Sequence, residues 1–144
     1  MQDILTCAMG LDVHRDIIVA CLVKGAVDAE PEAETRTFST LIPEMQKLRD
    51  WVIESECRNI AMESTGIYWQ PIYEMLESCF DGEISILVVN ARHMKNVPGR
   101  KTDMKDAQWI ATLLRAGLLK GSFIPDKAFR ELRHLTRYRK SVVH

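Results

Sequence analysis

No apolar run in this sequence approaches the roughly 20 residues that a bilayer-spanning helix needs, so a helical membrane anchor is not expected. The first residues, Met1-Gln2-Asp3-Ile4-Leu5, have neither the basic start nor the cleavage signature of a secretory leader. A cytoplasmic location and no membrane partner are the expectation. The four cysteines, Cys7, Cys21, Cys57 and Cys79, contain no C-x-x-C pair, and His14, His93, His134 and His144 show no ligand spacing. A zinc site therefore has no support, and buried free thiols are expected. A glycine-rich phosphate loop of the Walker kind is missing too. Neither an internal repeat nor a low-complexity segment interrupts the chain.

What remains is 144 residues of ordinary globular composition, 47% hydrophobic and 27% charged, enough for one domain with a real core. The net charge of −1 conceals a division. Residues 1–91 carry 6 Lys and Arg against 16 Asp and Glu, a net of −10, whereas residues 92–144 carry 13 against 4, a net of +9. Such a split suits a polyanionic partner contacted through the C-terminal part, and equally a solvated basic helix.

Two β-branched runs, Cys7–Val13 and Ile17–Val23, flank the polar turn His14-Arg15-Asp16 and read as an antiparallel hairpin. A third short strand is expected over Thr35–Phe38. Ser39 or Thr40 is placed to cap a helix with Pro43 in its first turn and Leu41, Met45, Leu48 and Val52 on one face. Asn59–Met62 reads as a strand ending at Glu63. The turn Ser64-Thr65-Gly66 then leads to a helix with Pro71 near its start and Ile72, Met75, Leu76 and Cys79 inward, broken by Asp81-Gly82. Ile84–Val89 reads as a strand covered on both faces. After the basic, irregular Arg92–Lys101, a helix starts at Thr102 or Asp103 and runs to about Arg115, closed by Gly117. A final amphipathic helix is expected from Asp126, with Phe129, Leu132, Leu135 and Tyr138 on one side. The pattern is α/β with a mixed sheet.

Four acids stand out. Asp12 interrupts the apolar strand Met9-Gly10-Leu11-Asp12-Val13, where an ionised carboxylate costs several kcal/mol unless paired or bound to metal. Exposure at a strand end is the plainer explanation. Glu63 ends its strand before a glycine turn, where ligands of open α/β sheets gather, or simply faces a helix N-terminus. If these two strands are parallel neighbours, the carboxylates lie side by side and favour a cation between them. Asp103 and Asp106, spaced i, i+3 at a helix start, share a face. They are also what an ordinary cap and first turn prefer. Together the four describe an all-oxygen site for hard divalent ions.

The segments Gly10-Leu11-Asp12-Val13-His14, Met62-Glu63-Ser64-Thr65-Gly66-Ile67-Tyr68-Trp69, Val89-Asn90-Ala91-Arg92 and Lys101-Thr102-Asp103-Met104-Lys105-Asp106-Ala107 resemble, in order and spacing, the DEDD transposases of bacterial insertion sequences, relatives of the pilin-gene invertases. The resemblance implies a ribonuclease H-like, RuvC-like fold with a five-stranded sheet. It implies Asp12, Glu63, Asp103 and Asp106 as catalytic metal ligands, with Mg2+ as the cofactor and Mn2+ as its substitute. It implies DNA and a structured bridge RNA as partners, a bacterial nucleoid-associated location, and a homo-oligomer in the full-length protein. Arg92, Lys95, Arg100, Lys101 and Lys105, with Arg133, Arg137, Arg139 and Lys140 of the last helix, become candidates for nucleic-acid contacts. Residues 1–122 would form the catalytic domain and residues 123–144 the start of a basic helical segment, cut before a serine-bearing second domain. Ser141 is not that serine, and full recombination by these residues alone is not expected.

Rival readings use the same residues differently. A stand-alone RuvC-like Holliday-junction nuclease needs the same acids. A fragment of an actin-like sugar kinase shares the first Gly-x-Asp hairpin and leaves Asp103 and Asp106 unexplained. A non-catalytic nucleic-acid-binding module would show aromatics beside basic residues. Here Tyr68, Trp69 and Trp109 read better as core or turn residues, with Tyr68 and Trp69 the two that could touch nucleic acid.

Overall fold

A computed structural model of the chain describes residues 5–26, 30–64, 66–80, 83–89 and 106–119. Strand β1 (Cys7–Val13) turns through His14–Asp16 into β2 (Ile17–Lys24), with the His14 amide donating to the Ile17 carbonyl at 2.8 Å. β3 (Glu32–Ser39) follows, then helix α1 (Ile42–Ser55), β4 (Asn59–Ser64), α2 (Trp69–Phe80), β5 (Ser85–Val89) and α3 (Asp106–Arg115). The strands form one five-stranded sheet in the order β3-β2-β1-β4-β5. β3, β2 and β1 pair antiparallel; β1, β4 and β5 pair parallel.

Period-two alternation sends the residues of the central strands to two different layers. On one face Met9, Leu11 and Val13 of β1 and Ile60 and Met62 of β4 pack with Met45, Leu48, Trp51 and Val52 of α1 and Ile72 and Leu76 of α2. On the other, Ala8 and Ala61 pack with Trp109, Ile110 and Leu113 of α3, and Cys21 and Val23 of β2 with Ala107 and Ala111. Each fully buried large aliphatic side chain contributes about 1.5–3 kcal/mol, so both layers hold the sheet.

Several local expectations need correction. β3 begins at Glu32, three residues before the expected start, because it is an edge strand whose residues through Thr37 are exposed and carry no hydrophobic signal. Neither Ser39 nor Thr40 caps α1 in the usual way: the N-cap is Leu41, with no side-chain cap bond. The Ser39 hydroxyl accepts from the Leu41 amide at 3.3 Å, and the Thr40 hydroxyl donates to the Arg15 carbonyl at 3.0 Å. Leu41 is 69% exposed, and Trp51 takes the place expected for it on the buried face. In α2, Cys79 is exposed. β5 is the other edge of the sheet, and only Val88 and Val89 are buried.

α3 ends as expected. Gly117 (φ 73°) donates to Leu114 O and Leu118 to Leu113 O, both at 3.0 Å, the paired bonds of a Schellman cap. The expected start of this helix at Thr102 or Asp103, the helix from Asp126 and the boundary at residue 122 lie outside the described residues. Among the described residues no helix is long and apolar enough to cross a membrane.

Candidate catalytic site

Asp12 is the penultimate residue of β1, and Glu63 is the penultimate residue of β4. The parallel register sets them directly opposite each other. Residues paired this way sit on strands about 4.8 Å apart and point to the same face. Two positions earlier on each strand, Gly10 and Ala61 lie under α3, so the two acids belong to the face that α3 covers. Both sit at the C-terminal edge of the parallel strands.

The height and direction of α3 are set by one residue. A Cβ on Gly10 would collide with the Ala107 carbonyl oxygen and stand 2.6 Å from the Ala111 nitrogen. Only glycine lets the helix backbone rest on the strand there. At the far end the Leu5 amide donates to the Arg115 carbonyl at 3.1 Å. α3 therefore runs antiparallel to β1 and directs its N-terminus, Asp106, toward the end that carries Asp12 and Glu63. Asp106 is exposed in the first turn, where the helix dipole favours an acid.

The Asp12 side chain is 17% exposed, and its Oδ2 lies 3.0 Å from His14 Nε2. The turn that reverses the chain thus supplies a partner for the strand acid. Sequence reading placed His14 in the turn but did not pair it with Asp12; the i, i+2 spacing on an extended strand is the signal that could have found it. Glu63 is half-buried.

Of the four sequence-derived acids, the structure brings Asp12 and Glu63 together. Asp103 lies outside the described residues, as do Arg92, Lys95, Arg100, Lys101, Lys105, Arg133, Arg137, Arg139 and Lys140. Among the described residues no group of three or more His, Cys, Asp or Glu side chains is close enough to hold a metal ion.

A second feature of the same edge was missed by hydrophobic patterning. On the α1 and α2 side, a cavity of about 430 Å³ is lined by Arg15, Thr40, Met45, Tyr68, Gln70 and Glu74, among others. Ile17, Leu41, Ile42, Ile67 and Tyr68 are exposed at this end of the molecule. Tyr68 is 41% exposed, whereas Trp69 packs edge-on against Tyr73 with ring centroids 5.5 Å apart. Trp109 is buried in the layer under α3, its Nε1 without a hydrogen-bond partner among the described residues.

A family model described as Transposase, that of the IS110-type DEDD proteins, matches residues 9–144. No curated protein matches significantly. Among solved structures, Thermus thermophilus RuvC aligns with a TM-score of 0.54 at 12% identity, over 81% of this chain and 99% of that one. T. thermophilus RuvC in complex with Holliday junction substrate aligns with the same TM-score and identity, over 82% of this chain and 100% of the other. The fold is RuvC-like, within the ribonuclease H-like class.

Proposed function

The chain belongs to the IS110-type DEDD transposase family, and from that premise we propose that it carries the catalytic domain of a DNA transposase that breaks and joins phosphodiester bonds with divalent cations. The observation that carries this reading is the pairing of Asp12 with Glu63 at the C-terminal edge of parallel strands, on the face crossed by α3. Two adjacent carboxylates fit a hard cation. Their donors are all oxygen, and each acid relieves its repulsion with the other through the shared charge.

Asp12, Glu63, Asp103 and Asp106 would hold the metal, Mg2+ by preference with Mn2+ as substitute. Such ions, when bound, activate the attacking oxygen and stabilise the leaving one. The chain's own contribution is positional. β1 and β4 fix two carboxylates on a rigid sheet, His14 orients Asp12, and Gly10 sets the height of the helix that begins at Asp106. Arg92, Lys95, Arg100, Lys101 and Lys105, with Arg133, Arg137, Arg139 and Lys140, would hold phosphate groups without reading bases. The net of +9 over residues 92–144 suits DNA and a structured guide RNA as the polyanions, and a homo-oligomer is what the resemblance implies for the full-length protein.

A second reading, cleavage of branched DNA, is favoured by the structural likeness to a RuvC bound to a Holliday junction. One experiment addresses both. Linear target DNA with guide RNA, and a four-way junction without it, are incubated with the protein and Mg2+ or Mn2+. Cleavage or joining that depends on the RNA supports the first reading, and junction cleavage alone supports the second. Unchanged activity of Asp12→Asn or Glu63→Gln in either assay would refute the site. Mn2+ binding followed by calorimetry gives a readout independent of turnover.

A further inference from the structure

Two thiols meet at the end of the sheet remote from the acids. Cys7 opens β1 and is half-buried; Cys57, 1% exposed, sits two residues before β4. The register Met9 with Ile60 brings the start of β1 alongside the segment entering β4, and both cysteines pack into the core layer under α1 and α2. The two side chains are hydrogen-bonded to each other. The Cys57 sulfur also lies 3.3 Å from the Asn59 carbonyl oxygen, and Asn59 Nδ2 reaches the Cys7 carbonyl at 3.5 Å. Continued by two positions, that register sets Cys7 opposite Arg58, the residue next to Cys57.

We propose that Cys7 and Cys57 form an oxidisable dithiol whose substrate is hydrogen peroxide. The Cys7 thiolate attacks the peroxide oxygen, the O–O bond breaks, and after protonation water leaves a Cys7 sulfenic acid. Cys57 sulfur then attacks that sulfur, giving up its proton as the hydroxyl departs as a second water. Two thiols are oxidised by two electrons, the peroxide is reduced, and one disulfide joins β1 to the entry of β4.

The electrostatics suit this division of labour. The hydrogen bond from Cys57 draws the Cys7 thiol down to about 7, against the opposing effect of burial and with help from Lys24 on β2 and Arg115 on α3. The Cys57 thiol is pushed up by the Cys7 sulfur and by burial, although a backbone hydrogen bond at Asn59 and the charge of Lys24 act the other way. Cys7 is thus the attacking thiolate and Cys57 the resolving thiol. Cys21, pushed up first by burial with Thr35 opposing, is fully buried and suited to neither role.

The test uses the whole chain. Native protein is exposed to stoichiometric hydrogen peroxide near pH 8, blocked by alkylation and mapped by mass spectrometry. The expected product has lost about 2 Da in a Cys7–Cys57 cross-linked peptide, is restored by dithiothreitol, and melts at a higher temperature. In Cys57→Ala, Cys7 should instead gain one or two oxygens, and no cross-link should form. Both thiols remaining alkylable while exposed Cys79 oxidises would overturn the proposal, as would a cross-link to any other cysteine. Because Cys57 is buried, a measurement on the unsubstituted chain stands beside the variant. The rate of Cys7 alkylation should rise with pH around a midpoint near 7, and a midpoint near the ordinary thiol value of about 8.5 would reject the attacking role.

Discussion

The two ends of β1 solve the problem of a charged group in opposite ways. At its start, Arg115 is 1% exposed, and its guanidinium donates to the carbonyls of Leu5 at 2.9 Å, Gly25 at 3.0 Å and Ala26 at 2.6 Å. That charge is spread over backbone acceptors of three segments and ties the end of α3 to the β1–β2 layer. At the other end, Asp12 stands opposite a second acid, with a half-exposed histidine 3.0 Å away. One end uses its charge to close the fold. The other places like charges together, an arrangement that costs stability and makes sense where a cation is to be held.

The sharpest way to break this comparison is Asp12→Asn. Several kcal/mol of transition-state stabilisation rest on a metal-ligand carboxylate, so a loss of about a thousandfold in strand cleavage is expected. Its stability should be unchanged or slightly raised, because a repulsion disappears. Activity assays beside urea denaturation decide it. A loss of both together would mean that Asp12 holds the fold rather than the reaction.

Arg115→Met is the converse. It keeps only the inner, apolar part of the side chain and leaves three part-buried carbonyls without their charged donor, costing about 3 kcal/mol. Denaturant unfolding at constant slope measures that. Mn2+ affinity of the fraction still folded should stay within about twofold, since the clasp lies at the far end of the strand from the acids. A large loss of metal affinity would show that the ends are coupled through α3.

These two residues also show what was legible in the chain. Asp12 stood out because an acid interrupts an apolar strand, and Glu63 because it ends a strand just before a glycine turn. Arg115 did not. It counted toward the basic surplus of residues 92–144, yet it is buried and is not available to a polyanion. β3 was only half seen because its outer residues face solvent, and Leu41 was placed in the core because the 3.6-residue period cannot say where a helix first meets the sheet. Gly10 reads as part of the Gly-x-Asp hairpin motif, not as the seat of a helix. Its role depends on a helix almost a hundred positions later, which no local pattern contains.

Gly10→Ala tests the shared middle of the comparison. The added methyl meets backbone atoms of Ala107 and Ala111 rather than a side chain that could swing aside. α3 must therefore lift, at about 2 kcal/mol by the usual cost of overpacking. Because the lifted helix begins at Asp106, Mn2+ binding should weaken along with stability. Loss of stability alone would place Asp106 outside the metal site.

The smallest effect expected is at Gly117, and it separates the clasp from the cap at the closed end. Gly117 has φ 73° and is exposed, so Gly117→Ala removes no packing and adds only backbone strain, about 1 kcal/mol. Asparagine, which tolerates the left-handed region better, should recover part of that loss. Both variants keep the amides that bond Leu114 and Leu113, so the Schellman bonds themselves remain available. If urea midpoints order as glycine, asparagine, alanine, the cap contributes independently of the guanidinium two residues earlier. If alanine matches glycine, the end of α3 is fixed by Arg115 and its carbonyls alone, and the closed end owes its rigidity to a single buried charge.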